Sequence, residues 1–255
     1  MRRKNMVEIQ DHGPVREIRL ARAPVNALSA QFAGAIDAAL AEAYAAGEGG
    51  AVRAVVLSGQ PGMFSAGLDV REVMASAASL RTLMIAFWRL QQRIALGSLP
   101  VVAALTGHAP AGGTVLAVLC DHRVMAEGKF RMGLNEVQVG LFPGETIFRC
   151  FERLVGRGRA AALLPRGAML TPPEALAAGL VDEVVEPARV VPRAIELAAE
   201  CAALPPLAYR QTRKMVRSDL AQIFAASPEE IARQMGDDWV TDETREKMSA
   251  ILARR

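Results

Sequence analysis

Between Met6 and Leu20 the pattern MVEIQDHGPVREIRL alternates apolar and polar positions on either side of His12, Gly13 and Pro14. A period of two interrupted by turn-forming residues predicts a β-hairpin. The next stretch, SAQFAGAIDAALAEAYA, changes period: Phe32, Ile36, Leu40 and Ala43 fall on one helical stripe, with Ser29 placed to cap its start and Gly47 to stop it. Two β-branched runs, VRAVVLSG and LPVVAALTG, end at Gly59 and Gly107. They lack the alternation of a half-exposed strand, which predicts strands covered on both faces. A third run, HRVMAEG, follows, and helical segments at about 80–96 and 114–119 separate the three. Strand and helix in repetition predict an α/β fold with parallel βαβ units.

Beyond Pro143 the strand pattern fades, and Pro165, Pro172, Pro173, Pro187, Pro192, Pro205, Pro206 and Pro228 punctuate helical stretches. A final helix is expected from about Pro228 to Leu252, with Ile231, Met235, Trp239, Val240, Met248 and Ile251 on and around one face. No internal repeat or low-complexity linker divides the chain. The organisation read from it is a core over residues 1–190 and a helical region over 191–255.

Composition narrows the class. With 255 residues, 51% of them apolar and a net charge of +3, the chain can bury a full core and is an ordinary globular protein. The basic residues are scattered among acidic ones, so nucleic acid is not an expected partner, while a small phosphorylated ligand would need only a few arginines or lysines. Three cysteines, Cys120, Cys150 and Cys201, form neither a C-x-x-C pair nor an even framework, so a cytoplasmic location and no metal site are expected. No uncharged run approaches the ~18 residues of a membrane span.

Candidate chemistry lies in three glycine-centred stretches, GMFSAGLDV (62–70), GHAPAGGTVLAVLCD (107–121) and MGLNEVQVG (132–140). The first two follow an expected buried strand and precede a helix, the place where open α/β sheets bind ligands. Glycine lets backbone N–H groups approach a ligand, and a helix start leaves such groups unpaired. The N–H groups of Leu68 and Gly112 are therefore candidates for an oxyanion hole, and Glu136, on the third stretch, is the candidate general base. GRGRAA (156–161) fits G-x-G-x-x-A but follows a helical stretch, so it is not expected to bind a dinucleotide. Ser65, His108, His122 and Asp121 lack the G-x-S-x-G elbow of a serine hydrolase.

The order and spacing of RAPVNALS, FSAGLDV, APAGGTVLAVLCDHRVMAE, GLNEVQVG and EALAAGLVDEVV closely resemble the crotonase (enoyl-CoA hydratase/isomerase) superfamily. FSAGLD, PAGG and GLNE-Q-G in particular resemble its mitochondrial-type Δ3,Δ2-enoyl-CoA isomerases. The resemblance implies a crotonase-like spiral of ββα units, a carboxyl-terminal helical region for trimerisation, and a homotrimer or a pair of stacked trimers. It implies an acyl-CoA substrate, with coenzyme A present only as part of that thioester and no permanently bound cofactor. By the same resemblance Leu68 and Gly112 hold the thioester oxygen, Glu136 is the base, and Ala66, Gly67, Asp69, Val70, Gly113 and Asn135 flank the substrate.

One departure matters. Hydratases of the superfamily carry a second glutamate three residues after the oxyanion glycine, and this chain has Val115 there. Moving a double bond from 3-enoyl-CoA to 2-enoyl-CoA needs one base, whereas hydration shares its proton transfers between two acids. Val115 thus favours isomerisation; Glu145 is expected to be an exposed acid in the first turn of a helix, stabilised by the helix dipole, with a second acid facing the cavity as the alternative. Other CoA-thioester reactions and a non-catalytic acyl-CoA binder remain open alternatives. The acyl pocket is expected to be walled by the segment 74–88 and by Phe142, and Glu136 to be desolvated by Val137, Val139, Leu141 and Phe142.

Overall fold

The computed structural model describes residues 6–234 and 239–253. The hairpin forms as expected: β1 (Val7–His12) pairs antiparallel with β2 (Val15–Leu20). Helix α1 (Ala30–Glu48) starts where Ser29 Oγ accepts the Phe32 N–H at 3.1 Å, and runs one residue past the expected stop at Gly47. It buries Phe32, Ile36, Leu40 and Ala43.

From there the chain repeats one unit. Strand β3 (Ala54–Ser58) is followed by the short β4 (Gly62–Met63) and by α2 (Val70–Ala75) and α3 (Ala77–Leu96). Strand β5 (Val101–Leu105) is followed by β6 (Gly107–Pro110) and α4 (Gly112–Leu119). Strand β7 (His122–Ala126) is followed by β8 (Met132–Gly133) and a single 3-10 turn at Glu136–Val139. The long strands join one six-stranded sheet, ordered β1-β2-β3-β5-β7-β9, in which β9 (Glu183–Val185) is the outermost parallel strand. The short ones form a second, parallel sheet, β4-β6-β8. The units are therefore ββα rather than the βαβ read from periodicity alone. β4, β6 and β8 are two to four residues long and carry Gly62, Gly107, Pro110 and Gly133, so they offer no period to detect.

Both faces of the large sheet are covered. Val55, Leu57, Val101, Ala103 and Leu105 face one cluster with α1, α3 and α4, whereas Ala54, Val56, Val102, Ala104 and Val124 face another. This alternation places buried side chains on both sides, which is why the strands read as continuous apolar runs. The second face is closed by α8 (Val190–Ala203), whose Val190, Ala194, Ala198 and Ala202 recur every four residues. Between β8 and α8 lie α5 (Gly144–Val155), α6 (Arg157–Leu163) and α7 (Pro172–Ala178). GRGRAA spans the α5–α6 junction, with no strand before it.

After α8 come α9 (Pro206–Val216), α10 (Ser218–Ile223) and α11 (Pro228–Gln234). The expected final helix is divided: α12 (Asp242–Ala253) starts afresh where Thr241 Oγ1 accepts the Thr244 N–H at 3.2 Å. Trp239, Val240 and Met248 are buried as the stripe implies, while Met235 and the side chain of Ile251 lie outside the described residues. Asp121 anchors this region. It accepts from Arg213 Nε and Nη2 at 2.7 and 2.9 Å, from Arg217 Nη1 at 3.2 Å, and from the Val101 N–H at 2.8 Å. Among the described residues no helix is long and apolar enough to cross a membrane.

Candidate active site

Because β4, β6 and β8 are adjacent and parallel, the three glycine-centred turns leave their carboxyl ends side by side. The small sheet is what gathers the motifs. Glycines then set the spacing between the first two turns. A Cβ on Gly113 would lie 2.5 Å from the Ser65 carbonyl oxygen, and one on Gly67, where φ is +83°, would lie 3.1 Å from the Gly112 nitrogen. Asn26, fully buried with φ of +50°, ties the first turn down. Its amide donates to the Leu20 and Phe64 carbonyls at 3.1 and 2.9 Å, and its own carbonyl accepts from Ser65 Oγ at 2.8 Å. Ser65 is buried and held in this way, which removes it as a nucleophile.

Two backbone donors result. The Leu28 N–H donates to the Gly67 carbonyl and the Asp69 N–H to the Leu28 carbonyl, at 2.7 and 2.9 Å. These bonds flank Leu68, and in extended backbone the intervening N–H points the other way. Gly112 opens α4, where an N–H has no intrahelical partner. Ala111 before it holds φ of +46° and ψ of −117°, a costly conformation for a residue with a Cβ, fixed by its N–H donating to the Gly133 carbonyl at 2.8 Å. The two nitrogens are neighbours: a Cβ on Gly112 would lie 3.4 Å from the Leu68 nitrogen.

Both line a cavity of about 1110 Å³, together with Ala66, Asp69, Val70, Asn135 and Glu136. Gly67 and Gly113 shape the turns from behind that wall. Asp69 is committed elsewhere, accepting from Arg22 Nη2 at 2.7 Å and capping α2 through the Arg71 N–H at 3.1 Å. Glu136 is different. Its Oε2 is buried without a hydrogen-bond partner, and burial pushes its pKa up to about 7 despite a hydrogen bond from its own backbone N–H. Val137 and Phe142, expected to desolvate it, are 45% and 63% exposed. Val137, on the 3-10 turn, stays off the cavity wall, whereas Val139 and Leu141 lie on the cavity side with Met84, Trp239 and Met248. Phe142, Phe87 and Trp88 do line the cavity as the pocket expectation had it.

Val115 is 3% exposed and contributes to the same wall, so an aliphatic side chain stands where a second acid would be. Glu145, exposed in the first turn of α5, reaches the cavity at its rim. Arg22, Arg71 and Arg149 also line it. Sequence reading did not single them out, because isolated arginines carry no spacing signal.

A conserved-domain model described as enoyl-CoA hydratase/isomerase matches residues 10–252. The chain belongs to the enoyl-CoA hydratase/isomerase family. Its relatives in that family include the human mitochondrial enoyl-CoA delta isomerase 1, 32% identical over 219 residues, or 85% of this chain and 72% of the relative. A probable enoyl-CoA hydratase of Rhizobium meliloti (strain 1021) is 31% identical over 231 residues, covering 91% and 88%. The crystal structure of human mitochondrial Δ3-Δ2-enoyl-CoA isomerase superposes with a TM-score of 0.91 at 28% identity, covering 98% of this chain and 97% of that one. This family fold accounts for the ββα repetition, and the chain is an enzyme of the enoyl-CoA hydratase/isomerase family.

Proposed function

We propose that the protein converts 3-enoyl-CoA to trans-2-enoyl-CoA. The Glu136 carboxylate takes the proton from C2, and the electron pair left behind delocalises onto the thioester oxygen. The Leu68 and Gly112 N–H groups stabilise that oxyanion, one donor contributing about 3–4 kcal/mol. Glu136 then returns the proton to C4, the C3–C4 double bond becomes single and C2–C3 becomes double. The observation that carries this reading is that, of the described carboxyls lining the cavity, Glu136 is the one with a buried, unpartnered oxygen, while Val115 occupies the second acid position.

Glu136→Gln is expected to leave acyl-CoA binding nearly intact while lowering C2 proton exchange and 2-enoyl formation at least about 10²-fold. Exchange followed by deuterium incorporation at C2 checks this, and turnover above a few per cent of wild type would remove Glu136 from the mechanism. A hydratase reading has one observation in its favour, the presence of Glu145 on the cavity rim. Loss of conjugated absorbance from 2-enoyl-CoA faster than its formation from 3-enoyl-CoA would favour that reading. For the assembly we retain the trimer, supported by exposed Leu207, Met215 and Val216 on α9; light scattering should give a multiple of three chain masses.

A further inference from the structure

Among the described residues, three buried side-chain polar atoms have no hydrogen-bond partner: Gln91 Oε1, Arg123 Nε and Glu136 Oε2. Arg123 is otherwise engaged, donating to the Cys120 carbonyl at 2.8 Å and pairing with Asp182 at 2.7 Å. The other two line one cavity. For Glu136 the proposed proton transfer explains the free oxygen. Gln91 has no such explanation.

Gln91 is 2% exposed and lies on the α3 stripe of Met84, Phe87 and Trp88 that faces the cavity. Its neighbours are satisfied: Gln92 donates to the Phe224 and Ala226 carbonyls at 3.0 and 3.2 Å, and Trp88 Nε1 to the Ala226 carbonyl at 3.2 Å. Val115, Ile147 and Ile223 line the same cavity, and a plain hydrocarbon chain would be served as well by leucine at position 91. A buried amide oxygen without a partner opposes folding, so its presence here points to a partner brought by the ligand. Met84 packs in the cluster that includes Leu68, and Gln91 is two turns, about 10 Å, further along α3. The group it meets therefore lies well beyond the reacting carbons.

We propose that Gln91 is a specificity residue that recognises a hydroxyl on the distal part of the acyl chain, making hydroxylated enoyl-CoA esters the preferred substrates. A hydroxyl both donates and accepts, so it satisfies the carboxamide whichever way the amide is turned. This rests on the reading of the cavity as an acyl-CoA site.

The test compares 3-enoyl-CoA esters of matched length with and without a terminal hydroxyl, alongside calorimetric binding of the corresponding saturated esters. Wild type should favour the hydroxylated ester at least about tenfold in kcat/KM and in Kd, and Gln91→Leu should erase or invert that ratio. Gln91→Met serves as a second variant should leucine impair folding. Equal handling of both esters by wild type, or an unchanged ratio in both variants, overturns the proposal. A binding preference that depends on Gln91 without 2-enoyl product would sustain it while refuting the isomerase reading. Failure of every CoA ester to bind would refute both.

Discussion

Glu136 couples the reaction to the energetics of a single side chain. Its pKa is raised to about 7 because burial removes water from the carboxylate, so under the proposed isomerisation kcat/KM should rise with pH as Glu136 loses its proton and level off above about pH 7. The same shift acts on stability with the opposite preference. A carboxyl whose folded pKa is raised holds its proton more tightly when folded, so its contribution to stability is greatest below about pH 4.5 and declines as pH climbs towards 7. Replacing Glu136 by Gln should then stabilise the protein by about 1–3 kcal/mol at pH 8 and by little near pH 4. Urea denaturation at the two pH values checks this; equal effects at both would show that burial does not raise this carboxyl. That Glu136, Leu68 and Gly112 meet at one cavity was legible in the sequence because each sits in a motif with glycine at fixed spacing. Gln91 was not, since a lone glutamine inside an amphipathic helix resembles any surface residue until its helix is seen against its neighbours.

At the scale of elements, periodicity identifies what has a period. The hairpin, α1 and the doubly covered strands were readable from it, and so was the start of α1 at Ser29. β4, β6, β8 and β9 were not, and the first three form the sheet that brings the active-site turns together. The break between α11 and α12 also escaped detection, because the apolar stripe continues past Thr241 to Met248 and so hides the new cap there. Helix α8 illustrates a subtler signal, a four-residue recurrence of small side chains that lets the helix lie close on the sheet. Ala198→Leu should therefore overpack this contact and destabilise the fold by about 1–3 kcal/mol. A lowered denaturation midpoint with an unchanged slope would confirm it, and an unchanged midpoint would refute the tight contact.

Across the whole molecule, Asp121 joins the end of α4 to α9 and to Arg217 through one buried carboxylate. Burial alone would raise its pKa, but Arg213 and Arg217 outweigh that and hold it below the usual carboxyl range. Its contribution is thus present above that range and lost as pH falls through the lowered folded value. Asp121→Asn should leave two buried cations without their counter-charge and destabilise the protein by about 3–5 kcal/mol, measured by urea denaturation. A loss below 1 kcal/mol would show that water, not Asp121, balances these arginines. The turn that carries Glu136 is held by a very different kind of link. Thr244 Oγ1, on α12, donates to the Gly140 carbonyl at 3.0 Å, and Met248 of the same helix lines the cavity. Part of the wall of the cavity that holds Glu136 thus comes from a helix about a hundred residues distant in sequence. Such a helix can detach while the sheets stay intact. Each detachment would flood the carboxylate with water, so this carboxyl would revert to an ordinary acidity on a much shorter timescale than the protein loses its shape.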